Sequence, residues 1–192
     1  VLNLSVLYKA PVESLPSIVA TGLLPETPDK ETQQTNQYLD QWRPAELVDQ
    51  VPQRQKSIYC YLGINGCVLD VDSGELVRQS HWQAGPGTVR LRLVTPPETA
   101  FVSDLTAYDQ VRSHLARDRS DPRLPTLARR YWFRLLNAAV VRDHYRIDQG
   151  AIVAAPSCPP GLPKHLRRVE VLLASKVGST DIQTLSGRPI MA

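Results

Sequence analysis

A chain of 192 residues, 42% hydrophobic and 21% charged, is long enough for one well-packed domain and short for two, and its ordinary composition excludes collagen-like, mucin-like and disordered chains. Its longest apolar runs, such as Ala138 to Val141 and Ala151 to Pro156, fall far short of the ~18–20 residues of a membrane-spanning helix, so no membrane partner is expected. The net charge of +3 is unevenly spread: residues 1–111 are net acidic, whereas residues 112–146 hold nine arginines against Asp118, Asp121 and Asp143.

In chain order, the loose alternation of Leu2, Leu4, Val6 and Tyr8 with polar neighbours predicts a first strand, stopped at Pro11. Its opening, Val1 to Leu7, lacks the positive charge and the small-residue cleavage pattern of a signal peptide. Leu15, Ile18 and Val19 then recur at helical spacing, with Ser14 placed to cap the start and Gly22 placed to end a short helix in the left-handed conformation. Residues 25–44 are rich in Pro, Thr, Gln, Asp and Glu and offer only Tyr38, Leu39 and Trp42 for burial. They are expected to form a long polar surface loop, suited by position to act as a lid.

Pro44 to Val48 predicts a short helix with Pro at its first position, ended by Pro52. Ser57 to Leu62 reads as a strand, and Cys67 to Val71 and Glu75 to Arg78 flank the turn Asp72-Ser73-Gly74 as a hairpin. Thr88 to Val94 alternates most clearly, and Ala100 to Val102 follows as another strand. Helical periodicity covers Thr106 to Asp118 and Leu124 to Tyr145, joined by Ser120-Asp121-Pro122, before strand character returns at Ala151 to Ala154 and Val169 to Leu173. These elements predict an α+β domain over residues 1–192 with a mixed or antiparallel sheet.

The chemistry-bearing residues narrow the function classes. Asp70-Val71-Asp72-Ser73-Gly74 starts like a calcium loop but lacks the third ligand and the closing glutamate, so a hairpin turn is the better reading. His81, His114, His144 and His165 show no metal-binding spacing, and no metal is expected. Gly85-Pro86-Gly87 lacks the following helix that phosphate cradling needs. Cys60, Cys67 and Cys158 match neither a disulfide framework nor a zinc site, which favours a reducing, cytoplasmic setting; Cys60, on an apolar strand, reads as a buried thiol. The arginines of residues 112–146 suit a phosphate-rich partner, with a solvated helix face as the alternative. Glu170 lies inside the apolar run Val169 to Leu173, where it either faces solvent by strand alternation or serves a site.

Two segments carry a family resemblance. Leu7-Tyr8-Lys9-Ala10, followed by Glu13 to Gly22 and Leu23-Leu24, resembles the opening of ADP-ribosyltransferase-like domains, and Val169 to Leu173, followed by Ile182, resembles the strand carrying that family's glutamate. Val89 to Asp104 matches more loosely. The nearest group is the DarT-type enzymes that modify DNA; RNA 2′-phosphotransferases share the opening more distantly.

The resemblance implies a split sheet with peripheral helices and a cleft for NAD⁺. Glu170 would hold the nicotinamide ribose while the glycosidic bond breaks through an oxocarbenium-like transition state. It also implies Arg54 as a catalytic arginine, with Arg43 second; Tyr8 and Lys9 against the cofactor; and Tyr59 or Tyr61 stacked on nicotinamide. Arg123, Arg129, Arg130 and Arg134 are then the expected contacts to a nucleic-acid acceptor, a protein acceptor being the alternative. The family usually has His or Arg at the first-strand position where this chain has Lys9, an ammonium that cannot reproduce their planar geometry. A non-catalytic nucleic-acid-binding or protein-interaction module of the same fold, or an RNA 2′-phosphotransferase, are the alternative functions.

Overall fold

A computed structural model describes residues 1–190 except Ala84 and Ser175. The chain is α+β. Strand β1 (Leu4–Pro11) leads through a 3₁₀ turn into helix α1 (Leu15–Thr21), followed by α2 (Lys30–Gln41) and the strands β2 (Ser57–Ile64), β3 (Cys67–Leu69), β4 (Leu76–Arg78), β5 (Thr88–Leu93) and β6 (Ala100–Asp104). Helices α3 (Leu105–Arg117) and α4 (Leu124–Phe133) come next, then β7 (Leu136–Asn137), α5 (Ala138–His144), β8 (Tyr145–Asp148), β9 (Ala151–Ala154), β10 (His165–Leu166), β11 (Val169–Ala174) and β12 (Ile182–Thr184). Among the described residues, no helix is long and apolar enough to cross a membrane.

The main sheet runs β12-β5-β1-β2-β11-β6-β7, with the short β3-β4 hairpin attached to β2; β8, β9 and β10 form a second sheet. Every strand pairing among the described residues is antiparallel. Strand β2 is shared between two halves. Its second half, Tyr61 to Ile64, pairs with Leu4 to Leu7 of β1, whereas its first half, Ser57 to Cys60, pairs with Val171 to Ala174 of β11. From Tyr8 onward β1 follows β5, and at Val169 and Glu170 β11 follows β6, so the sheet divides on both sides of β2.

Alternation along these strands sorts the core. Val6 and Tyr8, Ile58, Cys60 and Leu62, and Val169, Val171 and Leu173 share one buried cluster with Ile18 of α1, Val141 of α5 and Ile152 of the small sheet. On the other face Leu39, Tyr108, Val111, Leu124, Tyr131 and Trp132 join α2, α3 and α4 in a second cluster against Phe101, and Leu7, Val68 and Trp82 form a third. Gly22 takes φ +80°, and a Cβ there would stand 2.2 Å from the Val177 carbonyl oxygen, so only glycine fits the bridge between Leu23 and Val177.

Residues 25–44, predicted from composition as a polar loop, contain helix α2 instead. Asp29 caps it, accepting from the Thr32 backbone at 3.0 Å and the Thr32 hydroxyl at 2.7 Å, and its buried positions are Thr35, Asn36 and Leu39, a face too polar to show as an apolar stripe. The single helix predicted from Leu124 to Tyr145 is also corrected. Leu136 and Asn137 pair with Val102 and Phe101 of β6, and the Asn137 side chain accepts from the Ala139 N–H at 2.8 Å, starting a new helix. Sheet pairing plus a fresh cap thus replaces the continuous periodicity. Tyr145 to Asp148 is strand β8, turned into β9 by Gln149 and Gly150 at φ 47° and 79°. Ser14 precedes α1 but makes no side-chain cap.

Candidate active site

The side chains at issue share the face of the main sheet that carries α2, α3 and α4. Glu170 is paired in register with Ser103 of β6 and lies beside β2, whose Tyr59 and Tyr61 project to the same face. Arg54 enters from the turn that precedes β2. The carboxylate of Asp40, at the end of α2, fixes that turn by accepting from the Arg54 N–H at 2.8 Å and the Gln55 N–H at 3.1 Å.

The Arg54 guanidinium, 2% exposed, donates from Nη1 to Glu170 Oε1 at 2.6 Å, closing a contact across 116 residues of sequence. Its Nε donates to Asn36 Oδ1 at 2.9 Å, and Nη1 also reaches Ser103 Oγ at 3.4 Å and the Tyr131 hydroxyl. The rings of Tyr108, Tyr59 and Tyr131 surround it at 4.3, 5.0 and 5.2 Å. Asn36 donates to the Tyr59 hydroxyl at 2.8 Å, and Tyr59 donates to the Arg54 carbonyl, so one helix residue orients both groups. Burial alone works against the Arg54 charge, but Glu170 and the phenol rings more than offset it and hold the guanidinium protonated well above its ordinary range.

The Glu170 side chain remains 14% exposed. Arg54 occupies its Oε1, and its Oε2 makes no hydrogen bond among the described residues. A carboxylate with one oxygen fixed and one able to accept a hydroxyl is therefore held at the edge of the buried cluster of Arg54 and tyrosine rings.

The other predicted cofactor contacts separate. Lys9 and Tyr61 lie on the Glu170 face: Lys9 Nζ sits over Tyr61 at 5.2 Å and over Trp82 at 4.8 Å, and Tyr61 meets Trp82 edge-on at 4.9 Å. Tyr8 does not join them. It packs into the cluster on the opposite face and donates its phenol proton to Glu26, with burial first and Glu26 second raising its pKa. Arg43 donates to the Val51 carbonyl at 2.9 Å and takes no part in the Glu170 cluster.

The four arginines expected to contact nucleic acid do not form one free patch. Arg123 pairs with Asp121 at 2.8 Å and Arg134 with Asp104 at 2.9 Å, Arg129 lies over Trp42 at 5.5 Å, and Arg130 is exposed. Across residues 112–146, five of the nine arginines carry an ion pair, which lowers the field that the composition suggests. Cys60 is buried, with burial pushing its thiol pKa up, and Asp70 closes the β3-β4 turn by accepting from the Ser73 N–H at 2.8 Å. Among the described residues no three His, Cys, Asp or Glu side chains converge as a metal site.

Sequence reasoning misses Asn36, Ser103, Tyr108 and Tyr131. The usable signal for Asn36 is Asp29 three residues ahead of Thr32, a cap pattern that marks a helix in the polar stretch. Ser103 is one register step from Glu170, which only strand pairing reveals. Compared with protein-family models, with curated proteins and with solved structures, the chain has no significant match to any.

Proposed function

We propose that this chain is an NAD⁺-dependent ADP-ribosyltransferase, with Glu170 as its catalytic carboxylate and Arg54 as the group that holds it. The observation that carries this reading is the 2.6 Å pairing of Arg54 with Glu170, beside Tyr59 and Tyr61, where the sheet divides around β2. The residues fit the dinucleotide: Glu170 Oε2 is available to accept a ribose hydroxyl, and half-buried Tyr61 offers an aromatic surface beside Lys9.

NAD⁺ supplies a ribose–nicotinamide bond whose cleavage builds positive charge on the sugar. Glu170, held by Arg54, orients the ribose through its hydroxyl and lowers the energy of that charge by proximity in a partly desolvated setting. Arg54 binds through a planar fork, Nε to Asn36 and Nη1 to Glu170, which prevents the carboxylate from rotating away. The acceptor is a nucleic acid or a protein, and its nucleophile passes a proton to water as it bonds to the sugar carbon from which nicotinamide leaves as the neutral base.

The test is calorimetric titration with NAD⁺ followed by transfer from labelled NAD⁺ to single-stranded DNA, RNA and protein, in the native chain and in Glu170→Gln. Saturable binding in both proteins with turnover lost by about 100-fold or more in the variant is the expected result. Equal turnover in the two proteins removes Glu170 from the chemistry, and absence of NAD⁺ binding at millimolar ligand overturns the reading. A second reading, a non-catalytic module of this fold, is favoured by the deep burial of Arg54 and the capture of Lys9 by Tyr61 and Trp82. It predicts partner binding with no NAD⁺ requirement.

A further inference from the structure

Between Asp148 and Glu170 the chain has no acidic residue, and it carries the run Lys164-His165-Leu166-Arg167-Arg168 just before β11. This run does not spread over the surface. His165, Arg167 and Arg168 line a cavity of about 190 Å³ together with Arg134, from the segment after α4, Thr106, from the first turn of α3, and Asp104, with whose carboxylate Arg134 pairs. Two distant stretches of chain thereby bring three guanidiniums and an imidazole around one hollow. Val169, the neighbour of Glu170, forms part of its wall.

We propose that this cavity is a binding site for a phosphate group. Its charge is not already cancelled. Arg134 donates to Asp104 at 2.9 Å, and Arg168 donates to Asp109 at 2.9 Å and to the Val71 carbonyl at 3.0 Å, which fixes both side chains in place. Arg167 and His165 are exposed and make no side-chain hydrogen bond or ion pair among the described residues, and the Thr106 hydroxyl has no partner there either. Three arginines against two carboxylates leave a net positive hollow with a free fork, a free imidazole and a free hydroxyl. Those are the donors that a tetrahedral oxyanion accepts from.

A carboxylate ligand would need fewer donors, whereas phosphate oxygens can engage the fork, the imidazole and the hydroxyl together. The site does not rest on the transferase reading, because its residues lie off the Arg54 cluster. A phosphate arriving either as a terminal monoester or as the diester backbone of a nucleic acid satisfies the same donors.

The experiment uses the full chain without NAD⁺: calorimetric titration with inorganic phosphate and with a mononucleotide, and fluorescence anisotropy with a labelled single-stranded oligonucleotide. Arg167→Ala, Arg167→Glu and the off-site control Arg188→Ala are measured beside the native protein. One saturable site, weakened about tenfold by Arg167→Ala, more by Arg167→Glu, and unchanged by Arg188→Ala, is expected. Tighter binding of the oligonucleotide, displaced by inorganic phosphate, identifies the diester source; binding of phosphate and mononucleotide alone identifies the monoester. No binding of any probe, or an equal loss in Arg188→Ala, overturns the proposal. Because Arg167 is exposed, its variants keep the fold, which unchanged circular dichroism verifies.

Discussion

Arg54 shows how a residue can be costly and still organise its surroundings. A guanidinium taken from water requires a counterion and several acceptors, and this one has Glu170, Asn36, Ser103 and Tyr131. Removing it leaves Glu170 facing phenols and a serine without its cation. Arg54→Ala is therefore expected to destabilise the fold by about 3–5 kcal/mol in urea unfolding. Arg54→Lys should recover only part of that, because a single ammonium cannot serve Asn36 and Glu170 in one plane. Combining Arg54→Met with Glu170→Gln should cost less than the sum of the separate changes, since neither partner is then left charged alone. Strict additivity in that cycle would refute the coupling. Glu170 was legible as an acid in an apolar strand; Arg54 was named only through the family resemblance, and its burial against Glu170 was not legible, because nothing local distinguishes a buried arginine from a solvated one.

At the scale of elements, α2 links sequence to site most directly. Its buried residues Thr35, Asn36 and Leu39 present an amide and a hydroxyl to the interior, and Trp132 Nε1 donates to the Leu39 carbonyl at 2.7 Å. The helix is held at its start by Asp29 and at its end by Asp40, which grips the turn before β2. Asp29→Ala is expected to lower stability, read as a urea midpoint shifted downward with unchanged slope. A shift below measurement error would mean that packing alone forms the helix. Strands β1, β2, β5, β6 and β11 were readable from alternation and β-branched content. The breaks at Asn137 and at Gln149-Gly150 were not, because a continuous apolar period and a two-residue turn are resolved only by what the flanking residues pair with.

Across the whole molecule, all seven tyrosines have raised pKa values, burial being the first cause for each. Tyr131 and Tyr145 are pushed up to about 12. In the unfolded chain a phenol ionises near pH ~10, so above that value the unfolded state binds fewer protons than the folded one. This stabilisation is complete below pH ~10 and is lost as pH climbs toward the folded values. Tyrosinate absorbance should thus stay low past pH ~10 and then rise together with the loss of circular dichroism. Several tyrosines titrating near their ordinary value with the fold intact would contradict the packing described here.

The sequence by itself determined the class and the inventory: an α+β chain, the main strands, the arginine-rich stretch, and an acid set in an apolar strand. Those features are local, written in composition, period two, period 3.6 and turn residues. Only the tertiary structure decided which groups meet. Strand register set Glu170 opposite Ser103, the helix-to-sheet packing carried Asn36 and Tyr131 to Arg54, and the passage of β2 from one partner strand to another divided the sheet beside them. The same folding moved Tyr8 to the opposite face and paired Arg112 with Glu31 and Arg134 with Asp104, because burial and these ion pairs depend on neighbours that lie far away along the chain.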